Sequence, residues 1–155
     1  MIDGDGSPKV VEFNVRFGDP EAQVTIPLIS TDLGLVLNSV ARGNIANIDI
    51  FFHNKSIATV VLASENYPNK PIVDRELIGY KSRIDEGQIR GLIHFSGTNV
   101  DNNGNVISSG GRVLSATGMA PSIIEAIETA YQIVNSIELE GSHYRTDIGK
   151  RAFYN

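Results

Sequence analysis

Cysteine is absent from the 155-residue chain, which excludes disulfides and thiolate-ligated metals. Basic runs are missing too, and the net charge is −5, from 13 basic and 18 acidic residues. A nucleic-acid footprint needs clustered Lys and Arg, so no nucleic-acid partner is expected. No apolar run approaches the ~20 residues that cross a bilayer, and no membrane partner is expected. The opening "MIDGDGSPK" lacks the basic start and apolar stretch of a secretory signal, so a cytoplasmic protein is the expectation. Familiar catalytic signatures are scarce as well. His53, His94 and His143 lie far apart without metal-ligand spacing, and His94 in "IHFSGT" reads as a hydrogen-bonded strand residue. No phosphate loop of the G-x-x-x-x-G-K type and no Ser–His–Asp arrangement stands out. The stretch "DNNGN" (Asp101, Asn103, Asn105) is no calcium loop, because Gly104 falls fourth and Arg112 twelfth; it reads as a hairpin turn.

What is present suits one ordinary globular domain, with 41% hydrophobic and 20% charged residues. "DGDGSP" is dense in turn chemistry and predicts a hairpin behind a very short first strand. "STDLGLVLNSVARGN" predicts a helix capped by Ser30 or Thr31, with Leu33, Val36, Leu37 and Val40 in one stripe and Gly43 at its stop. "IDIFFHN" and "SIATVVLAS" read as strands in a hairpin through Asn54-Lys55, and "RGLIHFSGT" and "NVISSGGRVLSATG" as further strands. "SSGGR" could cradle an anion, but reads better as a glycine bulge. Arg112 within that apolar run needs an acidic partner, with Asp147 as the candidate. Ser122 and Glu125 form a capping-box pattern ahead of a helix with Ile123, Ile127, Ala130, Val134 and Ile137 on one face, and Tyr131 at its core or rim.

The stretch "VVEFNVRFGDPEAQ" carries the chemistry. Val11, Phe13, Val15 and Phe17 alternate with Glu12, Asn14 and Arg16, the signature of a strand with one apolar and one polar face. By itself E-x-N-x-R is more often a solvated face. Yet a carboxylate and an amide two residues apart, roughly 7 Å along a strand, offer hard oxygens of the kind Mg²⁺ takes, and the Arg16 fork suits a phosphate or carboxylate. Asp19 and Glu21 could reach such a cluster, but are better placed to cap the short helix after Pro20. Residues 1–47 are too few for a core of their own, although they carry an apolar strand face and an apolar helix stripe. Those surfaces either join the unit that follows or belong to a larger domain whose remainder is missing, and the second is the expectation.

"VVEFNVRFGDPEAQ", "VVLAS..YP", "IHFSGT", "SGGRVLSATG", "EAIETAY" and "YRTDIGKRA", in this order, resemble the C-terminal part of the phosphoribosylamine–glycine ligase family over essentially the whole chain. The resemblance implies an α+β fold. Residues 1–47 would be the C-terminal segment of an incomplete ATP-grasp domain. Residues 48–155 would be the family's small, mostly antiparallel β domain with a packed helix. Met1 would fall at an internal position of the full enzyme. The implied activity is ATP-dependent joining of glycine to 5-phosphoribosylamine through glycyl phosphate, with Mg²⁺ or Mn²⁺ as cofactor. Glu12 and Asn14 would be the metal ligands, and Arg16 would hold the acyl phosphate or substrate. The chain alone is expected to be inactive, and either to self-associate or to pair with a chain supplying the missing lobe. A reading of another class is a non-catalytic domain that docks onto a chain carrying that half. Two departures stand out. The family's "ASGGYP" is here "ASENYP", with Glu65 and Asn66 in place of a flexible pair, and its "GDPETQ" is here "GDPEAQ", with Ala22.

Overall fold

The computed structural model describes residues 1–80 and 91–150. Residue 90, at the start of one expected strand, and the last five residues of the tail lie outside them. Five strands are formed: β1 (Ser56–Ala63), β2 (Gly91–Phe95), β3 (Thr98–Val100), β4 (Val106–Ser108) and β5 (Arg112–Ala120). Three α-helices accompany them among the described residues: α1 (Ala22–Thr25), α2 (Leu33–Ala41) and α3 (Ile123–Asn135). β1, β5 and β2 make an antiparallel sheet with β5 in the middle, while β3 and β4 form a separate hairpin. The architecture is α+β, with α3 packed on the sheet.

Strand β5 is central because it can be buried along nearly its whole length. Val113, Leu114 and Ala116 are inaccessible to solvent, and Ser115 and Thr117 nearly so. The buried Thr117 hydroxyl shares a 2.8 Å hydrogen bond with that of Thr59 on β1, so its burial leaves no polar atom unmet. Helix α3 starts where expected. The Ser122 side chain accepts from the Glu125 amide, and the Glu125 carboxylate accepts in return from the Ser122 amide. The predicted stripe faces the sheet, with Ile127, Ala130, Val134 and Ile137 buried. The helix sits very close. A Cβ on Gly118 would lie 2.2 Å from the Ala126 carbonyl and 2.7 Å from the Ala130 nitrogen, and one on Gly91 would lie 2.3 Å from Ile133 Cδ1. Tyr131 ties the tail to α3: its hydroxyl donates to the Arg145 carbonyl at 2.9 Å and accepts from the Ile148 amide at 3.1 Å.

Several local expectations hold. The opening hairpin closes through an Ile2–Pro8 bridge and a 2.8 Å bond from the Lys9 amide to the Met1 carbonyl. "DNNGN" is the β3–β4 turn, with Asp101 Oδ1 accepting from the amides of Asn103 and Asn105 and Gly104 at φ +85°. Gly43, at φ +68°, ends α2. The "ASENYP" departure is accommodated without loss of the turn. Asn66 adopts φ +66°, a left-handed conformation that Asn tolerates better than most residues. Glu65 gains a partner at 2.6 Å in Arg75, which also donates to the Glu140 carbonyl.

Others are corrected. Residues 10–17 form no strand, because nothing among the described residues lies alongside to complete a ladder. The Asn54-Lys55 hairpin is not made; residues 51–53 pair instead with residues 28–30, through Ile29–Phe52, Ser30–Phe51 and Leu28–His53 backbone contacts. Asp32, not Ser30 or Thr31, caps α2 by accepting from the Leu35 amide, since the Thr31 hydroxyl accepts from the Phe51 amide at 2.8 Å. The bulge near "SSGGR" falls at Val113, where partners step from Leu62–Leu114 to Ala63–Arg112. The glycines answer a different need: the space a Cβ would occupy at Gly111 holds the Tyr67 ring.

Filling the gap between β5 and α3 should be costly, because backbone on a packed helix cannot yield as a flexible side chain can. Gly118→Ala is expected to destabilise the chain by about 1–3 kcal/mol, measured by chemical denaturation.

Candidate functional site

Glu12, Asn14 and Arg16 stand on an extended segment that is exposed on every side. Among the described residues, the Glu12 and Asn14 side chains have no hydrogen-bond or ion-pair partner, and the Arg16 guanidinium only donates to the neighbouring Phe17 carbonyl at 3.0 Å. The apolar residues between them are bare as well: Val11 is 67% exposed, Phe13 86%, Val15 94% and Phe17 53%. Leu37 and Val40 of the α2 stripe are also exposed, leaving Val36 as its buried member.

Burial begins at Gly18, which lies beneath the Glu21 side chain. The turn closes through a 2.8 Å bond from the Ala22 amide to the Gly18 carbonyl. Neither acidic residue caps α1 through its side chain. Asp19 has other work: its Oδ1 accepts from Gln23 Nε2 at 2.9 Å, and its Oδ2 lies 3.2 Å from Arg112 Nη2. Arg112 Nη1 also donates to the Asp19 carbonyl at 3.0 Å. Arg112 therefore finds its acid at Asp19 rather than Asp147. Asp147 pairs with Arg145 at 2.6 Å, and that hydrogen bond lowers its carboxyl below the ordinary value.

Beside this turn, Ala22, Gln23, Ile26, Pro27 and His94 line a mainly apolar cleft of about 290 Å³. His94 is half-buried on β2, and its Nε2 is buried without a hydrogen-bond partner, contrary to the expected bonded strand residue. Gln23 Oε1 is in the same condition. Desolvation lowers the His94 imidazole below its ordinary value. A larger recess of about 740 Å³ runs along residues 74–78 and 137–142. Glu12, Asn14 and Arg16 line neither. The Gln23–His94 cleft escaped sequence reading because its members are 71 positions apart, from 94 − 23, and share no motif.

The chemistry of the donor set suits a hard divalent cation. Glu12 and Asn14 supply one anionic and one neutral oxygen, and Mg²⁺ characteristically takes only one or two protein groups, completing its shell with phosphates and water. Among the described residues no cluster of three or more His, Cys, Asp or Glu could hold a metal by itself.

A three-stranded antiparallel sheet with one packed helix, preceded by an acidic turn, defines a small α+β domain. Overlaid on the crystal structure of a phosphoribosylamine–glycine ligase from Thermotoga maritima, the chain gives a TM-score of 0.70 at 31% identity, covering 92% of this chain and 34% of that one. The family described as phosphoribosylglycinamide synthetase, C domain, matches residues 57–151, and the chain belongs to it. Phosphoribosylamine–glycine ligase from Mycobacterium bovis is 42% identical over 146 residues, spanning 94% of this chain and 33% of the relative. A human trifunctional purine biosynthetic protein, adenosine-3, is 40% identical over 94% of this chain and 14% of its own length. The chain thus spans about a third of the single-function ligases it matches. No helix among the described residues is long and apolar enough to cross a membrane.

The depressed His94 value gives stability a sign with pH. Well above pH 6.5 the imidazole is neutral in both states and contributes no slope. Below it the unfolded chain takes up the proton first, so stability falls until the folded-state value is reached. His94→Gln should lose less stability than the parent between pH 6.5 and 5, measured by urea unfolding at each pH.

Proposed function

We propose that this chain is the C-terminal part of an ATP-dependent phosphoribosylamine–glycine ligase. Residues 1–47 would be the closing segment of an ATP-grasp domain, and residues 48–155 the C-terminal domain. The observation that carries this reading is the bare apolar row Val11, Phe13, Val15 and Phe17, interleaved with Glu12, Asn14 and Arg16. An apolar row of that length is seldom left to water without a partner to cover it, and the relatives are about three times as long.

In the proposed reaction the glycine carboxylate attacks the γ-phosphoryl of ATP, giving glycyl phosphate and ADP. The amine of 5-phosphoribosylamine then attacks the glycyl carbonyl, and phosphate leaves. Glu12 and Asn14 would hold Mg²⁺ or Mn²⁺, which when bound neutralises phosphate charge. Arg16 would orient the acyl phosphate through its planar fork. No side-chain nucleophile is required, because positioning and charge neutralisation supply most of the acceleration in phosphoryl transfer. ATP, glycine and phosphoribosylamine are thus partners of the assembled enzyme, and the isolated chain would be inactive.

Joined to the preceding two thirds of a ligase relative, the chain should support phosphate release that requires ATP, glycine and phosphoribosylamine together. Glu12→Gln or Asn14→Ala should then weaken the apparent Mg²⁺ affinity by at least about tenfold. Turnover by the isolated chain, or full activity in both variants, would contradict the proposal.

The same bare row also fits a non-catalytic domain that docks onto a separate chain carrying the missing half, and a tendency to self-associate. Light scattering of the isolated chain should show association that Phe13→Ser/Val15→Ser reduces; a strict monomer would count against this second reading.

A further inference from the structure

Arg112 stands at the first position of β5, 93 residues after Asp19, yet it grips that residue twice. One guanidinium nitrogen meets the Asp19 carbonyl at 3.0 Å and the other the Asp19 carboxylate at 3.2 Å. The planar fork of arginine can serve both acceptors together, which the single ammonium of lysine cannot do in the same geometry. The second carboxylate oxygen is engaged by Gln23, so Asp19 bridges β5 to α1. This is the one ion pair, among the described residues, between residues 1–47 and residues 56–150.

We propose that Arg112 is a positioning residue: it clasps the turn at residues 18–21 from the sheet and so fixes where Glu12, Asn14 and Arg16 stand. Arg16 is only three residues from Asp19, and the turn between is closed by the Ala22–Gly18 hydrogen bond with Gly18 buried. A shift of the turn therefore carries straight into the segment that bears the candidate site. Upstream, no ladder among the described residues holds residues 10–17. The small domain thereby contributes to the site without touching substrate. The clasp stands on the geometry alone, while its catalytic consequence rests on the ligase reading above.

Hydrogen exchange on the 155-residue chain tests the clasp directly. Arg112→Gln should speed exchange at residues 17–25 roughly tenfold, the scale expected for one partly exposed ion pair with a charge-assisted hydrogen bond. Protection in β1 and the rest of β5 should be unchanged. Asp19→Asn should do likewise, the double variant should be no worse than the stronger single one, and Arg112→Lys should fall between parent and Arg112→Gln. Unchanged exchange at residues 17–25, strictly additive effects, or loss of protection throughout the sheet would each overturn the clasp. In the chain joined to the preceding two thirds of a ligase, Arg112→Gln should raise the Mg²⁺ concentration for half-maximal activity several-fold while the melting temperature holds. An unaltered Mg²⁺ dependence would overturn the positioning role. An inactive parent assembly would overturn the ligase reading and the catalytic half of this inference, leaving the exchange result to decide the clasp.

Discussion

The seating of α3 on β5 is the contact from which the rest of the molecule takes its position. Gly118 and Gly91 leave no room for a Cβ, so the helix backbone comes down almost onto the strand. Ala126 and Ala130, both fully buried, are small enough to allow that approach, and Ile133 and Val134 fill the space on either side. Each large side chain so buried is worth about 1.5–3 kcal/mol relative to exposure, and the steric fit makes the register unique. Everything else is reached from there. The tail hangs on Tyr131 of α3, the "ASENYP" loop on Arg75 and the Tyr67–Gly111 contact, and the N-terminal turn on Arg112 at the start of β5.

The parts of this arrangement that follow from local chemistry were legible beforehand. A capping box with an apolar stripe identified α3, Asp101 and Gly104 identified a hairpin turn, and Gly43 identified the end of α2. What escaped depends on partners distant in sequence. Alternation in residues 10–17 tells which side chains share a face, but a strand also needs a neighbour to bond, and none lies alongside among the described residues. Thr31 was a reasonable cap until Phe51, 20 residues on, claimed its hydroxyl. Arg112 plainly needed an acid, but choosing Asp19 over Asp147 required knowing that the turn folds back onto β5. The order of six short stretches carried the family, and the 42% identity with a curated ligase agrees with it. The roles proposed for Glu12, Asn14 and Arg16 come from the family resemblance, with which their donor chemistry is compatible.

The molecule therefore divides by how well its surfaces are satisfied. Residues 56–80 and 91–139 enclose a core in which polar groups such as Thr117 meet partners. Among the described residues nothing gives residues 10–17 a ladder or a cover, although five of the eight are large and apolar. Among the described residues the Glu12 carboxylate and the Asn14 amide on this segment have no partner, and the Arg16 guanidinium meets only the neighbouring Phe17 carbonyl.

The central claim is that residues 10–17 complete a sheet supplied by the preceding two thirds of a ligase. A fluorine label on Phe13, followed by NMR while that larger portion is titrated in, measures it directly. The account predicts a saturable shift of the Phe13 signal to a solvent-shielded environment as the segment is covered. A signal that stays solvent-exposed at saturating concentration, with complex formation verified by sedimentation, would contradict it.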